Sequence, residues 1–64
     1  MNLYRVTAYT KTGFYSEYVT AQSAYSPIIE AARKSARSMA VGKVTFIAVD
    51  LDEENIPSGE EEFI

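Results

Sequence analysis

The chain has 64 residues, 47% of them hydrophobic, no Cys, no His and a formal net charge of −3. That length holds one domain, and a domain of about 60 residues buries only about 60% of its unfolded surface, so the core is small. The composition excludes a disulfide staple, histidine or cysteine metal ligands, and the commonest catalytic base and thiol nucleophile, which leaves oligomerisation or a partner as reinforcement.

Met1 to Arg5 runs straight into a strand pattern, with no apolar targeting segment. No apolar run approaches the ~20 residues of a membrane span. A cytoplasmic location is therefore expected, that of the host cell if the chain is phage-encoded.

Residues 3–10 predict the first strand, rich in residues that suit a pleated surface. Tyr4, Val6 and Ala8 share one face; Leu3, Arg5, Thr7 and Tyr9 share the other. Thr10-Lys11-Thr12-Gly13 reads as a type I turn with Gly13 left-handed in a bulge, and residues 14–21 return as the second strand. That turn pairs Val6 with Tyr18, Ala8 with Ser16 and Tyr9 with Tyr15. A two-residue loop at Thr12-Gly13 instead pairs Val6 with Val19. The two registers exchange the faces of the second strand, so the buried aromatics stay open at this point.

Residues 26–41 predict the one helix. Ser26 is an N-cap, Pro27 suits the first helical position, and Gly42 suits the left-handed turn that ends a helix. Ile29, Ala32, Ala36, Met39 and Ala40 recur at the spacing of one helical face, opposite Glu30, Arg33, Lys34, Arg37 and Ser38. Tyr25 is placed to pack where the chain enters the helix.

Residues 43–51 predict the third strand, with Thr45, Ile47, Val49 and Leu51 on one face and Val44, Phe46 and Ala48 on the other. A strand apolar on both faces is usually buried on both, yet one helix covers one face. The order strand, strand, helix, strand predicts an α+β fold: a ββαβ unit with a three-stranded antiparallel sheet in the order 2-1-3 and the helix on one face. A right-handed crossover places the first strand at the centre. The domain is expected to span residues 1–51, followed by an acidic, mobile tail at 52–64. Residues 1–49 carry six bases and two acids, whereas residues 50–64 carry seven acids and no base.

No catalytic residue stands out: the Ser and Thr side chains have no partner base at readable spacing, and no glycine-rich phosphate loop is present. Asp50, Asp52, Glu54 and Glu61 fall on calcium-loop positions. The position that demands Gly holds Asn55, so a solvated acidic stretch is the better reading. No enzyme activity, metal or cofactor is expected.

Two binding classes remain. The favoured one is a small protein-binding inhibitor or adaptor, similar in size and charge to phage-encoded antagonists of host or defence proteins. Its surface would be an uncovered sheet face, an open edge and an acidic tail, with Val44, Phe46, Tyr9, Tyr15, Asp52, Glu53, Glu54, Glu60, Glu61, Glu62 and Phe63 as partner-binding residues. A homodimer is expected as well, by edge pairing of the third strand or by face packing that buries Phe46, the latter favoured because it hides the aromatic ring. The alternative is a single-stranded nucleic-acid binder with Arg33, Lys34 and Arg37 as a basic helix face and Tyr4, Tyr9, Phe14, Tyr15, Tyr18 and Phe46 as stacking aromatics. Glu60-Glu61-Glu62-Phe63-Ile64 resembles the acidic, hydrophobic-ended tips of bacterial and phage single-stranded-DNA-binding proteins. That resemblance implies recruitment of a partner protein. It covers five residues, and residues 1–49 do not match the barrel of that family.

Overall fold

The computed structural model describes residues 1–54. Four elements follow one another: β1 (Asn2–Tyr9), β2 (Phe14–Ala21), α1 (Pro27–Met39) and β3 (Phe46–Glu53). The sheet has the order β2-β1-β3, with β1 antiparallel to both neighbours, and α1 packs on one face. The ββαβ architecture expected from the pattern is the one observed.

The hairpin register is neither of the two expected. Tyr9 pairs with Phe14, Val6 with Glu17 and Tyr4 with Val19. The turn closes one residue earlier than Thr12-Gly13 because Thr10 ties itself to Gly13 three ways. Its N–H donates to the Gly13 carbonyl at 2.8 Å, and its hydroxyl donates to the same oxygen and accepts from the Gly13 N–H, both at 3.2 Å. Gly13 does not take a positive φ; Gly42 does, at 96°. Relative to the Thr12-Gly13 loop the pairs slide by two residues, which preserves the faces. Tyr15, Glu17, Val19 and Ala21 therefore join Tyr4, Val6 and Ala8 beneath the helix.

The helix begins where the Ser26 hydroxyl accepts from the Ile28 N–H at 3.2 Å, the N-cap bond that satisfies an otherwise orphaned donor. Its buried residues are Ile29, Ala32 and Ala36. Ile29 drops between Tyr4 and Ala21, while Ala32 and Ala36 bring the helix down onto Val6 and Ala8. Met39, expected on the buried stripe, is exposed and borders a cleft between the helix end and the hairpin loop. Ala40 caps the helix in extended conformation and packs on the core in its place. Tyr25 is exposed too: the turn that precedes the helix is closed by Ser23, whose carbonyl accepts from Ser26 N–H and whose hydroxyl accepts from Tyr25 N–H.

The third strand starts and ends later than expected. The Thr45 N–H and hydroxyl both donate to the Tyr9 carbonyl, at 2.8 and 3.2 Å, and regular pairing begins at Phe46. It continues through Asp52 and Glu53, with a register shift that leaves Leu3 opposite Glu53 and Tyr4 opposite Leu51.

Candidate docking face

The sheet face away from α1 is built in rows set by the two ladders. The first row, across β2, β1 and β3, is Phe14, Tyr9 and Phe46; the next is Ser16, Thr7 and Ala48; the third is Tyr18, Arg5 and Asp50. In the first row the Tyr9 ring lies 6.0 Å from the Phe14 ring and 5.5 Å from the Phe46 ring, both tilted, within the range of favourable aromatic pairs. All three rings are exposed, Phe46 at 59% and Phe14 at 69%. They form a continuous aromatic strip across one end of the sheet.

The neighbouring rows hold that strip in place. Thr7 is buried even on this open face, hemmed in on the central strand, and its hydroxyl shares a 2.9 Å hydrogen bond with Ser16. Arg5 and Asp50 meet at 4.0 Å across β1 and β3, a half-exposed pair that neutralises the charge in the middle of the face.

The expected site residues divide among different surfaces. Tyr9 and Phe46 are in the aromatic row. Tyr15 is not: it lies on the helix side, packs against the Val6–Ala8–Ala36 cluster and donates to Glu17 at 3.4 Å. Glu17 also accepts from the Ser35 hydroxyl at 3.3 Å, which ties β2 to α1. Val44 precedes the strand and packs against the same helix-side cluster, because the chain does not enter the ladder until Phe46. Asp52, Glu53 and Glu54 are exposed at the far end of β3. They stand about 20 Å from the aromatic row by the rise of a strand. Glu60, Glu61, Glu62 and Phe63 lie outside the described residues. Arg33, Lys34 and Arg37 are exposed on α1, which covers the opposite face of the sheet, so they do not share a surface with the aromatic row.

Phe14 and Tyr18 belong to the docking face and were missing from the expected partner-binding set, because their side depends on a turn register that the sequence left open. Among the described residues no three acidic side chains gather as a metal site, and no helix is long and apolar enough to cross a membrane. Comparison with protein families, with curated proteins and with solved structures finds no match to this chain.

Proposed function

We propose that the chain is a non-enzymatic protein-binding module, an inhibitor or adaptor of the kind phages encode, that docks through the row Phe14–Tyr9–Phe46. The observation that carries this reading is the exposure of three neighbouring rings on a sheet face that no other element covers among the described residues. Exposed, clustered aromatics are expensive in water and are the residues that dominate protein interfaces. The face around them is close to neutral, since Arg5 is matched by Asp50, so its complement is an apolar patch rather than a polyanion.

Stacking of single-stranded nucleic acid is the second reading, favoured by the same rings and by Lys11 and Lys43, which line a small cleft in the loops beyond the row. It is weakened by the position of the helix bases on the other side of the molecule.

The test uses a double variant, Phe14→Thr with Phe46→Thr, which keeps strand propensity. A protein retained from host lysate by the wild type and lost with the variant, both folded by circular dichroism, supports the first reading. Oligonucleotide binding that falls steeply with salt and is lost in the same variant replaces it with the second.

A further inference from the structure

Among the described residues nothing pairs with the outer edge of β3, and the ladder shows which of its groups point outward. The Thr10 N–H points to β2 and the Tyr9 carbonyl points to β3. Alternation along an antiparallel ladder then turns Tyr9, Thr7 and Arg5 toward β3, and their partners Phe46, Ala48 and Asp50 toward β1. The backbone N–H and C=O groups of Ile47, Val49 and Leu51 face outward. Their side chains lie on the helix side, but α1 packs over β2 and β1 rather than over β3. Ile47 and Val49 are only half-buried and Leu51 is 48% exposed.

We propose that this edge pairs antiparallel with the same edge of a second copy, about a twofold axis at Val49. Val49 then exchanges both backbone hydrogen bonds with the partner's Val49, and Ile47 does so with the partner's Leu51. On the helix side these three partly covered apolar residues meet the same three in reverse order. Sliding by one pair in one direction sets Asp50 against Asp50. Sliding in the other sets Leu51 against Thr45 and unpairs part of the apolar strip. Charge favours the same arrangement: Lys43 precedes the strand, and Asp52, Glu53 and Glu54 end and follow it, so antiparallel pairing lays the lysine end of each copy beside the acidic end of the other. A twofold axis perpendicular to the sheet leaves the aromatic row of each copy exposed. Edge pairing is thus independent of the docking reading above, and it differs from the face packing that would bury Phe46.

The chain contains no cysteine, so one introduced residue reports the register. In Val49→Cys the two Cα atoms across the axis should stand about 5.5 Å apart, within the range a disulfide spans. Mild oxidation should give a covalent dimer on a non-reducing gel, and the exposed control Thr20→Cys on the opposite edge should not. By sedimentation at micromolar concentration the wild type should be a dimer. Leu51→Lys should weaken association at least tenfold with an unchanged circular dichroism spectrum, and Phe46→Thr should leave association intact. A monomeric wild type, dissociation by Phe46→Thr but not by Leu51→Lys, or equal cross-linking at positions 49 and 20 would each overturn the proposal. The first of these leaves the edge to an extended strand of another protein.

Discussion

Adjacent isoleucines offer a sharp test of how α1 is seated. Ile29 is completely buried between Tyr4 and Ala21, while Ile28, one position away, is 46% exposed. Ile29→Ala removes buried methyl and methylene groups and leaves a cavity, at a cost of about 2–5 kcal/mol. A domain of this size holds about 3–8 kcal/mol in total, at roughly 0.05–0.15 kcal/mol per residue. The variant should therefore be largely or wholly destabilised. Ile28→Ala gains the same few tenths of a kcal/mol in helix propensity and loses little burial, so its net change should be within about 1 kcal/mol. Because the propensity gain is common to both, the difference between the two variants isolates packing. Urea unfolding followed by helical circular dichroism measures it. With a slope near 1 kcal/mol per molar, Ile29→Ala should lower the midpoint by about 2–5 M, and Ile28→Ala by less than about 1 M. Both must be compared at one protein concentration, since self-association adds to apparent stability by mass action. Equal losses would mean that the helix is rotated from its described phase, and the division of the sheet faces would fall with it.

Other substitutions probe the local devices. Ser26→Ala removes the acceptor for the Ile28 N–H and should lower stability by about 1 kcal/mol in thermal unfolding. Gly42→Ala places a side chain at a positive φ and should cost about 1–2 kcal/mol, whereas Gly13→Ala, with open space around it and no positive φ, should be neutral or slightly stabilising through the unfolded state, by up to about 1 kcal/mol. Thr7→Val should cost about 1 kcal/mol, and a double-mutant cycle with Ser16→Ala should show coupling of about 0.5–1.5 kcal/mol from their shared hydrogen bond; additivity would show that the two hydroxyls act alone.

The order of elements was legible because each carries an independent signal: the Ser26-Pro27 start, the Ile29–Ala32–Ala36 stripe, and strands rich in Tyr, Val and Thr. The faces of β1 and of β3 from Phe46 to Leu51 were legible too, from their alternation; the division of the β2 side chains was not. It depends on the turn at Thr10–Gly13, whose closure is neither of the two expected and is held by hydrogen bonds to and from the Thr10 hydroxyl that no hydrophobic pattern encodes. This is why Phe14 was left out of the partner-binding set and Tyr15 was placed in it. Val44 misled for a related reason. It continues the alternation Val44, Phe46, Ala48, but Thr45 binds Tyr9 O outside the regular register, so Val44 turns toward the helix-side core instead of extending the open face.

The two apolar faces of β3 have a geometric origin. A helix of thirteen residues is about 20 Å long and about 10 Å across, and strands lie about 4.8 Å apart, so one helix shields little more than two strands. Here its position is fixed by Ile29 beside Tyr4 and Ala21 and by the alanines on Val6 and Ala8, which centres it on β1 and β2. β3 is left with Ile47, Val49 and Leu51 poorly covered on one side and Phe46 uncovered on the other. A solvent-facing edge strand is ordinarily blunted by a charge, a Pro or a bulge in its middle. In β3 the central charge, Asp50, is engaged by Arg5 on the open face, and the register shift and remaining acids come only at the end, from Asp52 onward. Among the described residues the edge is thus protected at one end and open through its centre. Pairing about Val49 uses that open centre and keeps the acidic ends apart. Face packing through Phe46 would leave Ile47, Val49 and Leu51 as exposed as before, which is why the edge, rather than the aromatic row, is the surface expected to meet a second copy.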